Sequence, residues 1–144
     1  MTLSIHALRL TSCACLTLLL LACAPAMKQQ TAAINTDQVG IEIVGLHLSS
    51  GGYMLDFRYQ VKDATKAAPI IDRARIPYLV HESSGAKFAV PSPAKVGPLR
   101  QMPRQLEAGK QYFILFANPG QYVQVGDLVT VVIGDMRFEH LRVE

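Results

Sequence analysis

The side chains best suited to metal chemistry are the three histidines and three methionines that follow residue 38. Imidazole and thioether ligands together favour copper. No two of these histidines have the short spacing that places two ligands side by side on one strand or helix. Spacing alone therefore predicts no metal site and no cofactor, and a copper or small-ligand carrier is an alternative hypothesis. The candidate ligands are His47, His81 and His140, with Met54, Met102 and Met136.

Carboxylates suited to acid–base catalysis are scattered along the chain. Asp127 and Asp135 each follow a glycine, in turns where aspartate commonly bonds to nearby backbone. The sequence contains no G-x-S-x-G, no H-E-x-x-H and no phosphate-binding glycine loop. We therefore predict no catalytic residue and no enzyme activity.

A basic, proline-rich stretch carries the strongest binding signal. Residues 83–106 contain no acidic side chain but include Lys87, Lys95, Arg100 and Arg104. The stretch overlaps an irregular region, Pro91 to Gly109, whose length is typical of functional loops. We predict that Lys95, Arg100 and Arg104 contact an acidic partner or anionic headgroups. The formal net charge of +3 does not match a nucleic-acid-binding profile, so no nucleic-acid partner is expected.

Alternating apolar residues predict the strands that position these side chains. Gly40 to Leu48 is a strand that Gly45 interrupts, which indicates a bulge. Tyr53 to Val61 has one apolar face, and Met54, Asp56, Arg58 and Gln60 on a solvent-facing side. Asp63 is the expected N-cap of a helical turn that ends at Pro69.

The same patterns of apolar and turn residues predict the remaining strands. Ile76 to His81 forms an edge or starting strand, because Pro77 lacks a backbone donor, and His81 is expected to point outward. Ser83-Ser84-Gly85 turns into Lys87 to Val90. Gln111 to Ala117 is apolar on both faces, which predicts a central buried strand. The final pair, Leu128 to Ile133 and Met136 to Val143, is joined by a hairpin at Gly134-Asp135.

About seven short strands with little helix predict an all-β fold. The expected architecture is an antiparallel β-sandwich, immunoglobulin-like in layout, with a small β-barrel as the alternative. The packed domain is expected to cover residues 39–144.

The N-terminal segment resembles the signal peptide of bacterial lipoproteins. A short region with one positive charge, Arg9, precedes the apolar run Leu10 to Leu21, which is too short to span a bilayer. Leu20-Leu21-Ala22-Cys23 is similar to a lipobox, whose cysteine becomes the lipidated first residue. Ordinary cleavage at the small residues around Ala24 is an alternative, and Cys13 is a second, weaker lipobox-like position.

This resemblance implies a cellular location and a membrane anchor. Residues 1–22 are the expected signal peptide, and residues 23–38 are the lipidated cysteine and a flexible tether. All three cysteines lie within the first 23 residues, so the packed domain has no thiol for a disulfide or a thiolate metal site. Ala24, rather than aspartate, after Cys23 implies sorting to the outer membrane, facing the periplasm, in a Gram-negative cell.

Several segments of the body resemble small uncharacterised exported proteins of proteobacteria, and that resemblance implies no activity. We therefore expect a lipid-anchored periplasmic binding or assembly module that contacts the membrane through its lipid and a cell-envelope protein through the basic loop. The segments are Leu55 to Tyr59, Gly97 to Arg100, Phe113 to Gly120 and Val131 to Asp135.

Overall fold

The chain's structure is a computed structural model that describes residues 36–144. Cys23, the signal segment and the tether up to residue 35 lie outside the described residues. Two short helices, α1 Thr36–Val39 and α2 Ala64–Ala67, accompany strands β1 Ile41–Ser49, β2 Met54–Val61, β3 Tyr78–His81, β4 Lys87–Ala89, β5 Gln111–Ala117, β6 Leu128–Ile133 and β7 Met136–Arg142. Short 3₁₀ turns follow at Ser50–Gly52, Ala68–Ile71 and Pro119–Gln121.

These strands form two antiparallel sheets, which confirms the predicted all-β sandwich. The three-stranded sheet has the order β1-β2-β5, and the four-stranded sheet has the order β4-β3-β6-β7. The connections from β2 to β3, from β4 to β5 and from β5 to β6 cross between the sheets, as in immunoglobulin-like domains. In constant-type domains the fourth strand pairs with the fifth, whereas here β4 pairs with β3.

The interior lies between the inner faces of the two sheets. From β2, Leu55, Phe57, Tyr59 and Val61 are almost fully buried, as their alternation predicts. The Phe57 ring lies 6.0 Å from the ring of Phe138 in the other sheet. Because the domain has no cysteine, aromatic and aliphatic burial of this kind supplies most of its stability.

The predicted bulge in β1 lies next to Gly45. The register with β2 shifts between Ile43 and Gly45, and the extra residue Val44 is half exposed. The bulge exchanges the two faces of the strand, so Ile41 before it and Leu46 after it are both buried. The apolar residues at odd-numbered positions before the bulge and at even-numbered positions after it therefore face the same core.

The helical turn after β2 also forms as predicted. The Asp63 carboxylate accepts hydrogen bonds from the Thr65 and Lys66 N–H groups, at 2.9 and 3.2 Å. The strand that follows begins at Tyr78, directly after Pro77, and Ile76 lies outside it with 73% of its surface exposed. Of the two predicted explanations for Pro77, an edge strand or the start of a strand, the second is found, since β3 lies between β4 and β6 in its sheet.

Strand β5 differs from the prediction of a central strand. It lies at the end of the three-stranded sheet, and part of the proline-rich segment covers its outer edge. Leu115 N–H donates to Leu99 O at 2.9 Å, and Gln101 N–H donates to Phe113 O at 3.1 Å. The strand buried on both faces is instead β6. The last part of the β1 edge is covered too, because Glu144 exchanges backbone hydrogen bonds with Leu46 and Leu48.

Candidate functional site

The proline-rich segment between β4 and β5 is held by its own backbone bonds. Gly97 N–H donates to Pro93 O at 2.8 Å, and Leu99 N–H donates to Pro91 O at 2.9 Å. These bonds fold residues 91–99 into a compact loop before residues 99–101 join the edge of β5. The predicted irregular region is therefore an ordered surface feature.

Arg100 connects this loop to the segment that precedes β3. Its guanidinium donates to the carbonyl oxygens of Arg75 at 2.9 Å and Asp72 at 3.3 Å. A third contact joins its Nε to the Met102 sulfur at 3.1 Å. Partial burial lowers the pKa of Arg100 below its ordinary value, but an arginine this basic stays charged. Among the three predicted partner-binding residues, Arg100 therefore also holds two segments together.

Two adjoining depressions beside Arg100 form what we call the cationic groove. The larger has a volume of about 450 Å³ and is lined by Arg73, Val96, Pro98, Arg100 and Met102. The smaller, about 270 Å³, shares Arg73, Pro98 and Arg100 and adds Ile76, Pro77, Val90 and Ser92. The groove thus combines two guanidinium groups with a largely apolar wall.

The apolar residues of the groove are unusually exposed. Ile76 and Val96 keep 73% and 69% of their surface accessible, although each belongs to a residue type that is normally buried. Clustered exposed apolar residues with a polar rim are typical of interaction sites. The signal in the sequence was weak, because Arg73 and Ile76 lie before the basic stretch and only the fold brings them to it.

Three basic side chains on the segments that line the groove lack a carboxylate partner among the residues described, and one of them, Arg73, lines the groove itself. Within residues 36–144, no carboxylate forms an ion pair with Arg73, Lys95 or Arg104, and all three side chains are exposed. By contrast, Arg75 pairs with Asp135, and the Lys87 ammonium lies 5.3 Å from the centre of the Tyr78 ring. The sites predicted at Lys95 and Arg104 are therefore open to an anionic partner.

The three histidines do not converge. His47 lies 3.4 Å from the Glu144 carboxylate, His81 contacts Asp127, and His140 contacts Glu82. Residues 36–144 contain no group of three or more histidine, cysteine, aspartate or glutamate side chains placed to hold a metal ion. Met102 contacts Arg100, and Met136 is buried in the core. The copper-carrier alternative gains no ligand set from this part of the chain.

His81 points into the sandwich, contrary to the expectation that it faces outward. Its Nδ1 lies 2.8 Å from the Ser84 hydroxyl, and its Nε2 lies 3.3 Å from the Asp127 carboxylate. The Tyr122 ring meets the imidazole edge-on at 5.6 Å. Ser84 Oγ also accepts from Ala86 N–H at 3.3 Å, and Asp127 accepts from Gln124 N–H at 2.8 Å. The cluster therefore ties two turns to one end of the sandwich.

A second polar cluster holds a bulge in β7. Between the pairs Val129–Leu141 and Val131–Phe138, Thr130 faces both Glu139 and His140. His140 has a φ of 59°, a conformation uncommon for a residue with a side chain. The Glu82 carboxylate accepts from the His140 N–H at 2.8 Å and the Thr130 hydroxyl at 2.9 Å, and its other oxygen lies 3.0 Å from the His140 ring. Glu82 thus stabilises a strained strand position.

We expect Glu82→Gln to lower stability at neutral pH by about 1–2 kcal/mol, because charged acceptors form stronger hydrogen bonds than neutral ones. Burial by itself raises the pKa of Glu82, but the hydrogen bonds from His140 and Thr130 outweigh it, so the pKa is lowered overall. A lowered pKa means that the ionised carboxylate stabilises the fold above its unfolded pKa of about 4.3 and loses this effect as pH falls through the folded value.

Urea unfolding from pH 7 to pH 3 tests this expectation. The difference in unfolding free energy between wild type and E82Q should shrink as the pH falls below about 4.3. E107Q is the matched control, since Glu107 contacts Lys110 on the exposed surface and such pairs contribute little. A constant difference across this range would contradict the role of the Glu82 charge.

Cys23, the predicted lipidation site, lies outside the described residues. No helix among residues 36–144 is both long and apolar enough to cross a membrane. No protein-family model, no curated protein and no solved structure matches this chain.

Proposed function

We propose that this protein is a lipid-anchored binding or assembly module of the cell envelope that docks a partner protein in the cationic groove. The observation that carries the proposal is that exposed Ile76 and Val96 line the same pair of adjoining depressions as Arg73, which forms no ion pair among the residues described. Lys95, also without an ion pair in this part of the chain, directly precedes Val96 in the sequence. Such a surface costs the isolated domain stability through exposed apolar area and uncompensated charge. A binding role gives both features a use.

The groove chemistry selects an acidic, extended segment that carries an apolar side chain. The wall of Ile76, Val96 and Pro98 offers an apolar contact, and the guanidinium of Arg73 offers a fork of donors for a carboxylate. Lys95 and Arg104 lie outside the wall, where charges accelerate association more than they tighten the complex. Affinity should therefore fall as ionic strength rises.

Anchoring would give this modest groove a practical advantage. The proposed anchor is lipid on Cys23, and the proposed tether, up to residue 38, connects it to the packed domain of residues 39–144. Several acyl chains hold a protein stably on a membrane, whereas one chain does not. Confinement to one surface raises the effective concentration of a partner in the same envelope layer. A weak, charge-steered contact is then sufficient for assembly.

The groove is tested by charge reversal in the soluble domain. The probe is a fluorescein-labelled peptide of alternating glutamate and valine, seven residues long, followed by fluorescence anisotropy. We expect R73E/K95E to weaken binding at least about tenfold, since two attractive charges become repulsive at the site. The matched control K66E/R142E makes the same change in net charge at two exposed basic residues that form no ion pair within residues 36–144 and do not line the groove.

Equal loss of binding in both double variants would contradict the groove and point to nonspecific attraction by net charge. No binding of the peptide to the wild-type domain at low salt would overturn the proposal for acidic segments. A matching peptide with lysine in place of glutamate should not bind. Arg100 is left unchanged in this test because it holds the segment from Asp72 to Arg75.

A further inference from the structure

The two sheets differ in how their edges are protected. In the three-stranded sheet, residues 99–101 cover β5, and Glu144 pairs with β1. In the four-stranded sheet, β7 carries the bulge at His140, and a bulge hinders the pairing of another strand. Strand β4 is an edge strand too, and among the residues described it pairs with β3 alone.

The backbone of β4 directs unpaired groups away from its sheet. His81 N–H donates to Ala86 O at 2.9 Å, while Glu82 N–H donates to Leu128 O at 3.0 Å. Odd-numbered residues of β3 therefore bond to β4. In the antiparallel register, with Leu79 opposite Phe88, the alternation of hydrogen-bonded pairs directs the N–H and C=O groups of Lys87 and Ala89 to the open edge.

The charged residue of β4 does not guard this edge. A lysine on an edge strand commonly opposes the addition of another strand. Here the Lys87 ammonium lies 5.3 Å from the centre of the Tyr78 ring, on the face of the sheet. A cation held over a tyrosine leaves the edge clear and remains attractive to an acidic segment.

The open edge leads into the cationic groove. Strand β4 ends at Ala89, and the next residues, Val90 and Ser92, line the smaller depression together with Arg73 and Ile76. A strand added beside β4 would continue past Val90 to the apolar wall and the guanidinium groups. Main-chain pairing and side-chain recognition are thereby available to one extended segment.

We propose that the acidic partner segment binds by adding a strand to β4, with a flanking apolar side chain in the cationic groove. This inference rests on the proposed function and specifies its binding mode. The recognised partner is an extended, acidic stretch of a protein. Its backbone bonds to Lys87 and Ala89, and its carboxylates face Arg73 and Lys95.

Ala89→Pro tests strand addition directly. Proline removes the N–H group that Ala89 directs to the open edge, and proline is tolerated on an edge strand at such positions. We expect A89P to weaken binding of the glutamate–valine peptide at least about tenfold, which corresponds to about 1.4 kcal/mol of binding free energy. A89S is the matched control, because serine changes the side chain but keeps the N–H group, and it should bind like wild type.

The peptide itself supplies a second test that needs no variant of the domain. N-methylation of alternate peptide bonds removes the donors on one edge of the probe. One of the two methylated registers should lose binding at least about tenfold and the other should retain it, because a strand pairs along one edge only. This comparison also decides the matter if A89P fails to fold.

The outcomes separate strand addition from groove docking. If A89P and both methylated peptides bind like their unmodified counterparts while R73E/K95E does not, strand addition is wrong and the groove stands. If R73E/K95E binds normally while A89P does not, β4 binds peptides without the groove, and the combined mode is wrong. Wild-type domain that binds no peptide overturns both proposals.

Discussion

Asn118→Ala is expected to destabilise the domain by about 3–5 kcal/mol, because several buried backbone groups lose their hydrogen-bond partner at once. Asn118 is fully buried at the end of β5. Its Nδ2 donates to the Gly52 and Val123 carbonyls, each at 2.9 Å, and its Oδ1 accepts from Val123 N–H at 2.9 Å. One amide thus joins the β1–β2 turn to the turn that leads to β6.

The expected cost is large because alanine cannot replace any of these bonds. The Asn118 backbone also donates to Tyr53 O at 2.8 Å, so the position stays fixed while the side-chain partners are left unpaired in the interior. An aspartate would keep an acceptor for Val123 but would lose both donors and bury a charge. We therefore expect N118D to be at least as unstable as N118A at neutral pH.

Thermal and urea unfolding of the domain measure this effect. A loss of this size lowers the Tm of a small domain by more than about 10 °C. Q121A is the control from the same turn: Gln121 donates to the Gly51 carbonyl at the exposed surface, and its loss should cost less than about 1 kcal/mol. If N118A melts within about 2 °C of wild type, the amide is not the stabilising junction that its contacts indicate.

Local patterns in the sequence predicted most strands because burial follows alternation. Strand β2 and the cap at Asp63 needed only near neighbours, and both are found as expected, except that Asp56 is buried rather than solvent-facing. The hairpin at Gly134, with a φ of 63°, is set by the same local chemistry. Features whose causes lie within a short stretch of sequence could therefore be predicted.

Features that depend on residues distant in the sequence could not be predicted in this way. The apolar faces of β5 indicated a central strand, but its outer neighbour is the irregular segment 99–101, which carries no strand pattern. His81 lies on the same buried face of β3 as Leu79. There Asp127 and Ser84 meet its ring nitrogens, and both contacts arise from folding. Hydrophobicity alone predicts that a histidine faces the solvent.

The candidate site divides in the same way. Lys95 and Arg104 were identifiable from charge within one loop, whereas Arg73 and Ile76 reach the groove through the crossover from β2 to β3. The second role of Arg100, as a donor to Asp72 and Arg75 carbonyls, has no signature in sequence. A basic stretch indicates potential for binding, and the fold decides which of its charges remain free.

Cys23→Ser is expected to move the protein almost completely from the membrane to the soluble fraction. The physical reason is that each buried methylene contributes about 0.8 kcal/mol to membrane binding, so removing several acyl chains abolishes stable anchoring. The full chain is expressed in a bacterial host with an alkyne analogue of palmitate. Labelling and partition into the detergent phase of Triton X-114 are then compared between wild type and variant.

Cys13→Ser is the matched control, since Cys13 follows Leu10-Thr11-Ser12 and offers the rival lipobox-like position. Its variant should keep the label, because the apolar run before Cys13 is interrupted by Arg9 and is too short for a signal segment. Labelling that survives in C23S but is lost in C13S would move the anchor to Cys13. An unlabelled wild-type protein whose mass begins at Pro25 or Met27 would show free secretion, and the groove would then act without a membrane surface.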